Sequence, residues 1–123
     1  MRDVRVLVAD DDRALRTTTV AILRIAGFEV SEAEHGDEVL ERLAEAPVDV
    51  LVLDVRMPGR DGIAVVEEMR PRPPPPAVLM VSAYALDQEV RDRLGSRVRR
   101  YLRKPVRPEH LVSEVEEAAG LAS

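Results

Sequence analysis

Five times along the chain a short apolar run is followed by a segment with helical spacing, and few folds accommodate that alternation. Val4-Arg5-Val6-Leu7-Val8-Ala9 reads as a strand, and residues 12–26 read as a helix stopped at Gly27, with Leu15, Val20, Ile22 and Leu23 on or near its buried stripe. Residues 28–33 alternate with period two, as expected of a more exposed strand, and residues 36–46 form a second helix ended by Pro47. Val48-Asp49-Val50-Leu51-Val52-Leu53 is the strongest strand signal, and its near-continuous apolar character predicts burial on both faces. A loop over residues 54–61, a short helix over 62–70, and a fourth strand over 77–81 follow. The proline run between them, Pro71-Arg72-Pro73-Pro74-Pro75-Pro76, suits a stiff extended connector and neither helix nor interior strand. A helix over 86–94 stopped at Gly95, a fifth strand within 97–102, and a last helix from Pro108 to about Ala119 complete the order. The expectation is one α/β domain over residues 1–123, a parallel sheet with helices on both faces.

Composition narrows the function classes. No apolar run approaches the roughly 18 residues of a membrane span. Arg2, Asp3 and Arg5 interrupt the N-terminus and argue against a secretory leader. The absence of cysteine excludes disulfides and thiolate metal sites and fits a reducing cytoplasm. With no Trp and 2% aromatics, stacking platforms for single-stranded nucleic acid are not expected. The net charge of -5 hides an asymmetry: residues 91–107 carry eight basic side chains against Asp92 alone. That stretch could steer an acidic partner or be a solvated charged face; nucleic-acid binding is the poorer reading, because no reading helix accompanies it.

Open sheets of this kind place ligands beyond the carboxyl ends of their strands, so functional residues belong just after strands one, three, four and five. Asp10, Asp11 and Asp12 follow the first strand, Asp54 the third, Ser82 the fourth and Lys104 the fifth. Crowded carboxylates repel one another and call for a cation, and hard oxygen ligands suit Mg²⁺. A phosphoryl group would complete such a site, with Lys104 as a mobile point charge, Ser82 as a hydroxyl donor, and the small Ala83 leaving room.

The segments Leu7-Val8-Ala9-Asp10-Asp11-Asp12, Leu53-Asp54-Val55-Arg56-Met57-Pro58-Gly59-Arg60-Asp61-Gly62, Val81-Ser82-Ala83 and Tyr101-Leu102-Arg103-Lys104-Pro105 resemble, in order, the hallmark segments of bacterial two-component response-regulator receivers. The resemblance implies a stand-alone, CheY-like receiver with a doubly wound, flavodoxin-like (βα)5 fold and strand order 2-1-3-4-5. It implies that Asp54 accepts a phosphoryl group from a histidine kinase or phosphotransfer protein of a phosphorelay. Asp10, Asp11, Asp54 and the backbone carbonyl of Arg56 would bind Mg²⁺, and Ser82 and Lys104 would grip the phosphoryl group. The Lys104–Pro105 bond is expected to be cis. Tyr101 matches the switch aromatic that turns inward when Ser82 moves. The fourth-helix, fifth-strand and fifth-helix face, with Arg91, Arg93, Arg97, Arg99, Arg100, Arg103 and Arg107 on or near it, would meet a downstream protein. A cytoplasmic location goes with these roles. If the chain is a complete product, output is expected through protein contact or phosphorelay; if it is a piece of a longer protein, the output domain is simply missing from it. Large Arg56 and Tyr84 beside the site are expected to shield an acyl phosphate from water.

Several residues have simpler readings. Asp12 is expected to cap the first helix and not to bind metal. His35 and His110 read as ordinary surface or helix-start residues. Segment 95–101 looks longer than the family pattern, which bears on the fifth strand and on Tyr101. Phosphatases of the haloacid-dehalogenase type share an Asp nucleophile after a strand, but they need an acid two residues on, where this chain has Arg56. A receiver-like module that only binds is the other alternative.

Overall fold

In a computed structural model, residues 3–70 and 74–121 are described. The order is β1 (Arg5–Ala9), α1 (Arg13–Ile25), β2 (Glu29–Ala33), α2 (Gly36–Glu45), β3 (Val50–Asp54), α3 (Gly62–Glu68), β4 (Ala77–Ser82), α4 (Gln88–Leu94), a 3-10 turn (Gly95–Arg97), β5 (Arg100–Arg103) and α5 (Pro108–Ala118). All strand pairs are parallel, and the sheet order is β2-β1-β3-β4-β5. This is the parallel α/β sheet expected from the alternation, with the flavodoxin-like strand order that the resemblance implies.

Period-two geometry explains why β1, β3 and β4 are apolar on both sides. Leu7, Leu51, Leu53, Val78 and Met80 face a core closed by Val39 of α2, Val65 and Val66 of α3 and Leu94 of α4. Val6, Val8, Val50, Val52, Leu79 and Val81 face the opposite core, closed by Val20 and Leu23 of α1 and Leu111 and Val115 of α5. Every residue of β3 is buried, whereas β2 at the edge exposes alternate positions. Each fully buried Leu or Val of this sheet contributes about 1.5–3 kcal/mol of apolar burial.

The helix starts follow local chemistry. The Asp12 carboxylate accepts from the Leu15 amide at 3.1 Å, which makes it the cap of α1. Asp61 caps α3 through the Ala64 amide at 2.8 Å, and His35 caps α2 through its Nδ1. Pro108 opens α5 in the first turn, where its missing N–H costs nothing.

Four expectations need correction. Leu15 is 47% exposed, and Arg16 takes the inward position with Val20 and Leu23, at helical spacing. β3 begins at Val50, two residues after the expected start, and it ends on Asp54, which belongs to the strand and not to the loop. The preceding Asp49 uses its carboxylate on the Arg5 amide, at 2.8 Å. β5 starts inside the expected 97–102 window, at Arg100, but runs one residue past it to Arg103; Gly95, with a positive φ of 57°, starts the 3-10 turn that precedes it. Arg97 braces that turn by donating to the carbonyls of Leu94 and Arg93. Of the proline run, Pro71, Arg72 and Pro73 lie outside the described residues, and Pro74 to Pro76 lead into β4 without regular structure.

Candidate functional site

The carboxyl ends of β1, β3, β4 and β5 meet where the chain reverses direction across the sheet, β1 running out to β2 on one side and β3 to β4 on the other. A cleft of about 840 Å³ opens there, lined among others by Asp10, Asp11, Asp54, Arg56, Ser82, Tyr84 and Lys104. All the residues expected to carry phosphoryl chemistry therefore share one cavity. Tyr101 does not line it, because it sits one layer down on β5, opposite Met80.

Carboxylate oxygens of Asp10, Asp11 and Asp54 lie within 4.8 Å of one another. Asp10 and Asp54 are 7% and 6% exposed, while Asp11 faces solvent. Lys104 reaches both buried acids, its Nζ lying 3.4 Å from Asp10 Oδ2 and 3.3 Å from Asp54 Oδ1. The Asp12 amide donates to Asp10 Oδ1 at 2.9 Å, and the Arg56 amide donates to Asp54 Oδ1 at 3.4 Å. Ser82 Oγ accepts from the Tyr84 amide at 3.1 Å, and the Ser82 carbonyl holds the Lys104 amide at 2.8 Å. The Lys104–Pro105 bond is cis, as expected.

Burial pushes the Asp54 carboxyl up to about 6; Lys104 pulls against this, and the neighbouring Asp10 adds to it. Burial alone would lower Lys104, but Asp10 and Asp54 outweigh it and hold the ammonium above its usual range. One ammonium thus pairs with two of three clustered carboxylates, and the excess negative charge favours a hard cation bound by oxygen. The three carboxylates fit such an ion in both chemistry and spacing. The backbone carbonyl of Arg56 was the further ligand expected from the sequence, and Arg56 lines the same cleft.

The rim is formed by Arg56 and Tyr84, with the Arg56 guanidinium 5.3 Å from the centre of the Tyr84 ring. On the neighbouring face the Arg91 guanidinium lies 4.3 Å from the Tyr101 ring centre. The Tyr101 ring packs against the core, and its buried hydroxyl has no hydrogen-bond partner.

Sequence reasoning missed Arg16 and Glu32. Arg16 donates from Nη1 to the Asp10 carbonyl at 2.7 Å and from Nε to Glu32 at 3.0 Å. The signal was present: position 16 shares the spacing of Val20 and Leu23, but arginine on a buried stripe is normally read as a misfit. His35 and His110 stay away from the cleft: His35 is a helix cap, and His110 is exposed beside Glu114.

The family model described as the response regulator receiver domain matches residues 6–116. Transcriptional regulatory protein ZraR of Escherichia coli K12 is 34% identical over 94% of this chain, and chemotaxis protein CheY of Listeria monocytogenes is 29% identical over the same share. The chain spans 26% of ZraR but 98% of that CheY. Among solved structures, a CheY-like receiver domain protein from Methanospirillum hungatei superposes with a TM-score of 0.87 at 27% identity, covering 97% of this chain and 95% of that one. Strand order, acidic cleft and family match agree, and the chain belongs to the response-regulator receiver family of two-component signalling, a receiver domain being a signalling phosphoacceptor rather than a true enzyme.

Proposed function

We propose that residues 1–123 act as one receiver domain that takes a phosphoryl group on Asp54 from a histidine kinase or a phosphotransfer protein. The observation that carries this reading is Asp54 at the end of β3, with Lys104 3.3 Å away and the Asp10 and Asp11 carboxylates beside it. An Asp54 oxygen attacks phosphorus, the bond from phosphorus to the donor imidazole nitrogen breaks, and the imidazole leaves with the electron pair and takes up a proton. The product is an acyl phosphate on Asp54. Mg²⁺ held by Asp10, Asp11, Asp54 and the Arg56 carbonyl would neutralise charge on the phosphoryl oxygens. Lys104 contacts another phosphoryl oxygen, and Ser82 donates to a third once its hydroxyl turns from the Tyr84 amide. Arg56 and Tyr84 shield the product from water.

Movement of Ser82 makes room for Tyr101 to turn inward, which biases two arrangements of the α4, β5 and α5 surface for a protein partner. Nucleic acid is a poor fit to that surface, which has no reading helix. No helix among the described residues is long and apolar enough to cross a membrane, and the reading places the chain in the cytoplasm with its kinase.

Intact-mass spectrometry after incubation with acetyl phosphate tests this. The expected result is a single phosphoryl adduct that requires Mg²⁺ and disappears in Asp54→Asn. No adduct in the parent protein would favour a module that only binds, and an adduct surviving in Asp54→Asn would place the acceptor elsewhere.

A further inference from the structure

We propose that Arg16 is a positioning residue for the acidic cleft, acting through the backbone of Asp10; this rests on the phosphoacceptor reading above. Arg16 lies in the first turn and a half of α1, and its side chain is 10% exposed. A buried guanidinium is costly unless its donors are used. Here Nε donates to Glu32 at 3.0 Å, Nη1 donates to the Asp10 carbonyl at 2.7 Å, and Nη2 lies 3.9 Å from Glu34. The guanidinium thus bridges β2 to the residue that ends β1's run into the cleft.

Every polar group of Asp10 is held. Its amide donates to the Ala33 carbonyl at 3.1 Å, its carbonyl accepts from Arg16, one carboxylate oxygen accepts from the Asp12 amide, and the other faces Lys104. The carbonyl is the group that a strand ladder would ordinarily satisfy, and the ladder stops at Ala9. Without Arg16 the peptide plane joining Asp10 to Asp11 loses its anchor, and both carboxylates hang from that plane. Glu32 and Glu34 offset the charge of Arg16, so its contribution to the cleft is orientation more than field. The fork geometry is needed for this, since a lysine ammonium is a single point and cannot span the Asp10 carbonyl and Glu32 together.

The alternative is that Arg16 merely staples α1 to β2. Magnesium affinity separates the two, because a staple affects stability and leaves the carboxylates aimed. Calorimetric titration of the full chain with MgCl2 would be run on the parent, Arg16→Lys and Glu32→Gln, each checked by thermal unfolding. Arg16→Lys is expected to weaken Mg²⁺ binding by about tenfold, as removal of outer-sphere support does at other metal sites. Its phosphorylation by acetyl phosphate should slow at limiting Mg²⁺ and recover at saturating Mg²⁺. Glu32→Gln keeps the bond to the Asp10 carbonyl and should lower the unfolding temperature without changing Mg²⁺ affinity. If Arg16→Lys does not fold, the paired change Arg16→Met with Glu32→Met removes both partners of the ion pair together and carries the same expectation of weaker Mg²⁺ binding. Parent-like affinity in a folded Arg16 variant, or equal weakening in Glu32→Gln, overturns the positioning role alone. A parent that bound no Mg²⁺ and gained no phosphoryl mass would overturn the phosphoacceptor reading and this role with it.

Discussion

A carboxyl group enclosed with two other acids and one ammonium titrates according to which influence prevails, and at Asp54 it is burial. Its pKa rises from 3.8 to about 6, although Lys104 opposes the rise. An acid whose folded pKa is raised binds its proton more tightly in the native state. Stability therefore falls as pH climbs from about 4 through about 6 in the metal-free protein. Asp54→Asn should remove that loss. At pH 7.5 with a chelator present, urea unfolding should show the variant more stable by about 1–2 kcal/mol, with the difference fading below pH 4. A variant no more stable than the parent at pH 7.5 would mean that Lys104 already compensates the buried charge.

Among the elements, β3 and α3 together set the position of the acceptor. β3 delivers Asp54 at its last residue, and α3 begins only eight residues later under the Asp61 cap. The Gly62 amide donates to the Val55 carbonyl at 2.9 Å, which folds the helix start back onto the strand end. A Cβ at Gly62 would sit 2.5 Å from the Asp54 carbonyl oxygen and 3.0 Å from the Val55 Cα, and neither is a flexible group that could yield. Gly62→Ala should therefore cost about 2–3 kcal/mol in chemical unfolding. It should also slow Asp54 phosphorylation, because the strain falls on the acceptor's own peptide. Full stability in Gly62→Ala would show that α3 can back away from β3 without loss.

The charge asymmetry has meaning only for the whole molecule. The sequence suggested an arginine face over residues 91–107, but folding neutralises part of it. Arg99 pairs with Glu117, Arg100 with Glu114 and Glu117, and Arg93 with Glu67 of α3. Arg103 and Arg107 instead line a groove of about 660 Å³ with Tyr101 and His110, between β5 and α5. Exposed pairs of this kind are weak as stability terms, yet they cancel field, so if this face steers an acidic partner, the groove is where the steering charge would lie. Association of a peptide rich in Asp and Glu, followed by stopped flow at low salt, should slow in Arg103→Ser with Arg107→Ser and lose much of its salt dependence. Arg99→Ser with Arg100→Ser should change it less. Equal effects of both pairs would return the steering role to the face as a whole.

The fold was legible because each local signal agreed with the others. Apolar runs of strand length, the helix cap at Asp12, and the helix stops at Gly27 and Gly95 all pointed to the same alternation, and residues at four strand ends gathered where such a sheet must open. The boundaries of β3 and β5 were not legible, since flanking residues such as Val48 and Val98 have strand character without strand pairing. Leu15 and Arg16 were exchanged for a similar reason: hydrophobicity predicts burial one residue at a time, whereas the inward position is decided by what lies opposite. The carbonyl of Asp10 and the carboxylate of Glu32 made arginine the better occupant there. The sequence by itself determined the class of fold and the chemical types that meet in the cleft, because both follow from periodicity and from order along the chain. Only the tertiary structure decided which charges face one another, and with that the raised pKa of Asp54, the bracing of Asp10 and the partial neutralisation of the arginine face. Electrostatic and hydrogen-bond energies depend on distances of a few ångströms between residues up to 94 positions apart, as between Lys104 and Asp10, and no spacing along the chain encodes those distances.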